Sequence, residues 1–346
     1  MIVAPSISTA ADTSVYGRFN IGLESKKNEI GIGAGSAENH FRVQDQNNSS
    51  RLGFKGSEDL GIGGLKAIYQ LEYGIDPWGS EGSTFSARNI YVGLTGGFGT
   101  ITFGKYDTPM KNAGGKVDLF NDESIGDIAS LMRGESRVYD IIQYSTPKIA
   151  DAFTLNIAAV PGQERVAADN ANDVEDGVFD TFYISAVYST KTVDAQLAYA
   201  ANERSSLLID GASIGIDILR AALYLKLVDN LELGLLYQLA SGIDQDNAVN
   251  QDGSPNTGLR NASDREETSL VASIGYTIGN GKIKAQYGQT DGDTTDAKRS
   301  MVGVGYDYKI SKSLTTQLYY IGYTQENPGV ADRDTTSIGL GLIYSF

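Results

Sequence analysis

The sequence predicts an all-β fold: a 16-stranded antiparallel transmembrane β-barrel whose third loop folds inward. Three observations point there. Sixteen runs alternate apolar residues with polar or small ones at the period of two that a strand imposes, because successive side chains leave opposite faces. The connections alternate between turns of a few residues and long polar loops, as in a membrane barrel with one short rim and one long rim. The composition, with 41 Gly and 20 Tyr against 7 Pro and no Cys, suits many strands joined by turns. An even number of strands lets the first and last close antiparallel, leaving no unpaired edge in lipid.

The elements follow in order. Thr13 to Glu24 sets Val15, Gly17, Phe19, Ile21 and Leu23 on one face, and Tyr16, Arg18, Asn20 and Gly22 on the other. Ser25 to Ala37 reads as a polar loop, and His40 as a loop residue. The second strand ends in Ser49 to Gly56. After a turn, Ser57 to Gly63, the third runs Leu65 to Gly74, and a loop from Ile75 to Thr84 carries Trp78, the single tryptophan. Phe85 to Leu94 and Thr100 to Lys105 follow, joined by Thr95 to Gly99. Beyond a long segment come Tyr139 to Thr146 and Phe153 to Val160, an acidic loop from Pro161 to Gly177, then Asp180 to Thr190 and Val193 to Ala201 across Lys191-Thr192. Ile214 to Val228 and Leu231 to Ser241 meet at Asp229-Asn230; in the former, Arg220 and Lys226 stand opposite Leu219, Leu223 and Leu225. The loop Gly242 to Asp264 precedes Thr268 to Ile278 and Lys282 to Gln289, which turn at Gly279-Asn280-Gly281. Thr290 to Ala297, another acidic loop, leads to Ser300 to Ile310, Leu314 to Thr324 and Thr335 to Phe346.

The segment 106–137 fits none of these strands. It does not alternate, it is too long for a hairpin turn, and loops of such length inside a compact fold are usually functional. It carries Asp118, Asp122, Glu123, Asp127 and Glu135, with a helix-like patch from Ile125 to Met132. Inside a closed barrel it could fold inward and narrow the bore.

Composition also excludes. A chain of 346 residues ordinarily forms two or more domains, but the strand pattern runs unbroken, so residues 12–346 read as a single barrel domain. Residues 1–11 read as a signal remnant or an artificial end, since Ser8-Thr9-Ala10 resembles a secretory cleavage region. No stretch is long and apolar enough for a membrane-spanning helix. Without cysteine there are no disulfides or thiolate metal sites, and one histidine makes a Ser-His-Asp triad or a His-rich metal site an unpromising reading. We expect no cofactor and no metal. A net charge of −15 argues against nucleic acid, which wants a basic face. The GxG sequences at Gly31 and Gly61 have no helix after them and read as strand and turn glycines rather than a phosphate cradle.

Several stretches resemble the general diffusion porins of Gram-negative outer membranes: Val15-Tyr16-Gly17-Arg18, the run from Ser50 to Gly61, Arg88-Asn89 through Leu94, Phe98-Gly99 to Gly104-Lys105, Gly115 to Asp122, and the terminal Tyr344-Ser345-Phe346. The run from Ser50 to Gly61 is the most specific. The resemblance implies an outer-membrane location, a homotrimer in contact with lipid and lipopolysaccharide, passive passage of small hydrophilic solutes and ions, and no enzymatic activity. It implies a constriction at which basic wall residues face acids on the third loop. Arg18, Arg51 and Arg88 match wall positions, and Arg137 a fourth. Asp118, Asp122 and Asp127, with Glu123 behind them, are the acidic candidates. Gln143 departs from relatives that carry arginine there. Trp78 matches a latch over a neighbouring subunit or an interface aromatic.

The acidic balance and acidic loops give the expectation of a weak cation preference. Two other readings stand beside it. A substrate-specific channel for a sugar or anion would want a line of lumen aromatics, hinted at by Tyr319 and Tyr323. A barrel enzyme would have to depend on His40.

Overall fold

The computed structural model describes residues 12–30, 38–79, 84–161, 165–166, 174–175, 177–206, 213–242, 265–292, 296–329 and 331–346. The expected signal remnant, 1–11, lies outside them. The strands are β1 (Asp12–Ile30), β2a (Glu38–Asp45) and β2b (Arg51–Ile62), β3 (Leu65–Ile75), β4 (Phe85–Gly96), β5 (Gly99–Asp107), β6 (Arg137–Ser145), β7 (Phe153–Val160) and β8 (Thr181–Ser189). They continue as β9 (Val193–Ser206), β10 (Ser213–Val228), β11 (Leu231–Gly242), β12 (Glu266–Ile278), β13 (Gly281–Gly292), β14 (Lys298–Lys309), β15 (Leu314–Glu326) and β16 (Arg333–Ser345). Each pairs antiparallel with its sequence neighbour, and β2a and β2b are two halves of one strand, so the ring is a closed 16-stranded barrel.

The seam is the pairing of β1 with β16, from Arg18 opposite Ser345 to Ile30 opposite Arg333. Phe346 finishes it: its N–H donates to Gly17 O at 3.1 Å, and Gly17 N–H donates to Phe346 O at 3.0 Å. A Cβ on Gly17 would come within 2.3 Å of the Phe346 ring, so only glycine lets the terminal aromatic lie against β1.

Alternation sorts the two faces. Along β10, Leu219 is exposed while Ile216, Ile218 and Arg220 are fully buried. The same division recurs around the ring: Leu235, Leu270, Ile274, Val302, Leu340 and Leu342 belong to an exposed apolar belt. Such a belt costs little in lipid and would be costly in water.

The structure departs from the sequence reading at several places. β1 continues through the expected loop to Ile30, and His40 stands on β2a, opposite Lys26, rather than in a loop. Lys-, Asn- and Glu-rich residues 26–29 hid a strand whose pairing with β16 and β2a is set by backbone bonds, not by apolar alternation. The second strand breaks at a 3₁₀ turn, Gln46–Asn48, where Asn47 and Asn48 take left-handed φ values of 47° and 49°. The helix-like patch resolves into two 3₁₀ turns, Ser124–Gly126 and Ile128–Ser130, and one α-helical turn, α1 (Pro109–Asn112), precedes it. A two-residue hairpin, Arg165–Val166 with Val174–Glu175, lies in the acidic loop before β8.

Candidate functional site

The segment between β5 and β6 is anchored at both chemical levels, apolar and polar. Thr108 starts it: its Oγ1 accepts from Lys111 N–H at 3.2 Å and caps α1, which has Pro109 at its first position, where a missing N–H costs nothing. Met110, Ala113, Val117, Phe120, Ile128, Leu131 and Met132 are then all buried. Their partners form two clusters. Met110 and Ala113 pack with Ala158, Tyr183, Ala200 and Ile218. Phe120, Leu131 and Met132 pack with Leu236, Val271, Met301 and Ile321. All of these partners stand on the face opposite the apolar belt. Each large side chain so buried contributes about 1.5–3 kcal/mol. A Cβ on Gly303 would press to 3.0 Å from the Phe120 ring, so the wall is cut away where the segment is bulkiest.

Backbone groups of an irregular segment need partners too, because a buried orphan carbonyl is expensive. Wall side chains supply them. Arg220 donates to Met110 O at 3.0 Å and Arg133 O at 2.8 Å. Ser273 donates to Val117 O at 2.6 Å, Lys284 to Leu119 O at 3.0 Å and Gln286 to Gly126 O at 3.2 Å. Thr290 donates to Leu131 O at 2.8 Å and Tyr323 to Ser130 O at 3.1 Å. On the other side Asn20 donates to Asp122 O at 3.1 Å, and Asn47, from the break in β2, to Ser124 O at 2.8 Å.

The acids of the segment divide by what they hold. Asp118 is buried and accepts from Phe120 N–H, Ile128 N–H and Gln286, each at 3.1 Å. Asp127 accepts from Ala129 N–H at 2.8 Å and Asp122 N–H at 3.0 Å. Burial pushes both carboxyls above their usual range, and each feels a neighbouring acid. Glu123 bonds Lys284 and Gln317; burial pushes it up to about 7, although the Lys284 ammonium pulls the other way. Glu135 meets fully buried Arg220 at 2.6 Å. Asp122 alone of these acids pairs directly with an arginine of the early strands, at 3.1 Å from Arg18, and Arg18 also feels the charge of Glu123.

Those arginines form one patch. Arg18 and Arg51 are cross-strand neighbours, Arg18 feels the charge of Arg51 and Arg88, and Arg137 feels that of Arg88. Arg88 Nε lies 2.8 Å from Glu72, which also accepts from Tyr16 at 2.9 Å. Asp107 is shared between Arg137 at 3.0 Å and Lys111 at 3.2 Å. Arg51 has no ion-pair partner among the described residues. Five cations therefore stand together with three directly paired carboxylates, Asp122, Glu72 and Asp107; Glu123 also acts on Arg18, and Asp127, whose oxygens go to backbone amides, feels Lys111.

The structure thus places Arg18, Arg51, Arg88, Arg137 and Asp122 in one cluster, and turns Asp118 and Asp127 toward the segment's own backbone. The sequence reading missed Glu72, Asp107 and Lys111 as members. It also missed Lys284, Gln286, Ser273 and Thr290 as anchors, and set Arg220 only on the strand face opposite Leu219, Leu223 and Leu225. Their signal was a polar residue at a strand position facing away from the belt, which does not say which carbonyl it meets. Gln143 is buried on that same face, with its Oε1 unpartnered. Among the described residues no group of His, Asp and Glu could hold a metal ion.

Comparison with known proteins adds the following. A family described as Gram-negative porin matches residues 1–328. Major outer membrane protein P.IB of Neisseria lactamica is 25% identical over all of this chain and 97% of its own length. P.IB of Neisseria meningitidis serogroup B is 26% identical with the same coverage. Among solved structures, an anion-selective porin from Comamonas acidovorans superposes with a TM-score of 0.78 at 18% identity, covering 97% of this chain and 100% of its own. The outer membrane channel DcaP of Acinetobacter baumannii gives 0.68 at 14% identity, over 98% and 99% of the two chains. OmpT of Vibrio cholerae, in its trimer form, gives 0.59 at 13% identity, over 98% and 100%.

Proposed function

This chain belongs to the Gram-negative porin family, and from that premise we propose a passive diffusion pore for small hydrophilic solutes and ions, narrowed by residues 108–136 and preferring anions. The chain is an outer-membrane channel protein. The observation that carries the finer reading is the local charge set: Arg18, Arg51, Arg88, Arg137 and Lys111 against Asp122, Glu72 and Asp107. A segment bonded to β1, to the break in β2, to β9–β13 and to β15, and packed on β14, on the face away from the belt fits a plug that leaves its opening beside β1–β5. There the arginines oppose Asp122, and the field across the gap orients water and polar solutes and biases ions.

The whole-chain charge of −15 leads to the opposite sign, a weak cation preference. We favour the local set because charges more than a Debye length away, about 8 Å at physiological salt, are largely screened. The Comamonas neighbour, an anion-selective porin, agrees in sign. The OmpT neighbour's trimer form supports a homotrimer; its contact with outer-membrane lipid and lipopolysaccharide is part of the same reading and follows from the exposed apolar belt.

The substrate-specific alternative loses its aromatic line. Tyr319 is tied to Gln46 at 2.7 Å and Tyr323 to Ser130, so both serve the wall and the segment. The enzyme alternative would still rest on His40, which stands exposed on a strand. Liposome swelling with sugars of graded size tests the diffusion reading. Rates that fall smoothly with solute size support it, and saturable uptake of a single sugar would contradict it.

A further inference from the structure

The break in β2 leaves Phe19 and Asn20 of β1 facing five residues, Gln46 to Ser50, since Arg18 pairs with Arg51 on one side and Ile21 with Asp45 on the other. The extra residues fold over the face away from lipid. Gln46 lies on Gly22, where any Cβ would collide with its amide, and donates to Tyr319 of β15 at 2.7 Å. Gln46, Ser49 and Ser50 are fully buried. Asp45 closes the knuckle by accepting from both the N–H and the hydroxyl of Ser50, and Ile75 N–H, from β3, donates to Ser50 O at 2.8 Å. An insertion bonded to β1, β3 and β15 in this way is a fixed block rather than a slack loop, as bulges that aim a side chain are.

What the knuckle touches is the turn that carries Asp122. Asp122 and Ser124 both take left-handed φ values, 62° and 49°, which residues other than glycine keep only where the surroundings hold them. Two side-chain amides do the holding. Asn47 donates to Ser124 O at 2.8 Å. Asn20 donates to Asp122 O at 3.1 Å and to Ser49 Oγ at 2.9 Å, while its backbone N–H donates to Ser50 Oγ at 2.9 Å. Asn20 stands two residues beyond Arg18 on β1, so both side chains leave the same face, and the Asp122 carboxylate falls 3.1 Å from Arg18. We propose that the break in β2 is a clamp that sets the channel's charge selectivity. Asn47 and Asn20, steadied by Ser49, are positioning residues: they hold Asp122 on Arg18 and so withhold one positive charge from passing anions. When the amides let go, the strained turn relaxes and Asp122 leaves Arg18 uncovered. The inference rests on the channel reading and deepens it by naming what fixes the strength of the arginine patch.

The test is the reversal potential of the full chain in planar bilayers under a KCl gradient, read as a change from wild type. Asn47→Gly keeps the left-handed turn, which glycine adopts freely, and removes only the amide. A lost hydrogen bond shifts a held-to-released balance about fivefold. The anion-to-cation ratio should therefore rise about twofold or more, and by no more than Asp122→Asn raises it. In the Asp122→Asn background Asn47→Gly should add nothing, because the charge it positions is gone. Asn48→Gly, at the neighbouring left-handed residue whose side chain makes no hydrogen bond among the described residues, should leave the ratio at the wild-type value. Asn20→Ala should act as Asn47→Gly does; if its barrel fails to assemble, Asn47→Gly still decides. An unchanged or lowered ratio in Asn47→Gly would overturn the clamp, and so would an equal rise with and without the Asp122 carboxylate. Added current noise at an unchanged ratio would overturn it too, since that is the mark of a merely loosened segment. A wild type that prefers potassium would contradict the arginine reading alone, because the clamp predicts the direction of change and not the starting sign.

Discussion

Arg18 and Arg51 sit directly across from one another on neighbouring strands, on the face away from lipid. Like charges so placed cost up to about 1 kcal/mol, and only Arg18 has an acid to offset it. Arg51 is therefore the residue whose charge is least compensated. At roughly 6 Å through water, one unit charge is worth about 0.7 kcal/mol, or about threefold for each ion, in opposite senses for anion and cation. Arg51→Gln should therefore lower the anion-to-cation permeability ratio by up to about tenfold, read as a shift in reversal potential. Asp122→Asn should move it the other way by freeing Arg18. Asp118→Asn should leave the ratio nearly unchanged, because that carboxylate faces backbone amides rather than the arginines; it should instead make the open current noisier as a buried acceptor set loses about 1–3 kcal/mol. Sequence resemblance found the four arginines because they lie on strands, where position relative to a motif determines the facing side. It could not sort Asp118, Asp122 and Asp127, since in an irregular segment a shift of a residue exchanges an amide cap for a lumen-facing acid.

At the scale of elements, the strands were legible because alternation is a local signal. The exceptions were local too: residues 26–30 form strand without alternating, and the break at Gln46–Asn48 depends on two left-handed asparagines that no periodicity announces. The segment 108–136 was legible as a loop, but its anchors were not, because they are contacts between residues far apart in sequence, such as Arg220 with Met110 and Lys284 with Leu119. Removing the cation from a buried pair costs about 3–5 kcal/mol. Arg220→Ala, which leaves Glu135 without its cation and takes one of two donors from each of the Met110 and Arg133 carbonyls, should therefore loosen the segment and give a larger, noisier single-channel conductance. Acidity should act through the same element. Burial lifts Glu123 to about 7, so its charge is present above that pH and lost below it, and the buried Asp118 and Asp127 shift in the same upward direction. Going from about pH 8 to about pH 5 should raise the anion preference, with a midpoint near that of Glu123; Glu123→Gln should flatten the step. A preference that falls on acidification would contradict the assignment.

At the scale of the molecule, two charge distributions compete. By sequence, many of the acids that make up the net −15 fall between the strands, in stretches such as 161–180, 243–264 and 293–297. Strands gather arginines from β1, β2b, β4 and β6 into one patch only because the sheet closes through Gly17 and Phe346 and because the segment between β5 and β6 fills the opposite side. Composition alone, summed over the chain, weights every charge equally and so gives the cation expectation; a closed ring weights them by distance from the narrowest point. The most direct test is the reversal potential of the reconstituted wild-type channel in a tenfold KCl gradient at neutral pH. A potential of the sign set by chloride permeation is the predicted result, and one of the sign set by potassium would show that the arginine patch does not govern the pore.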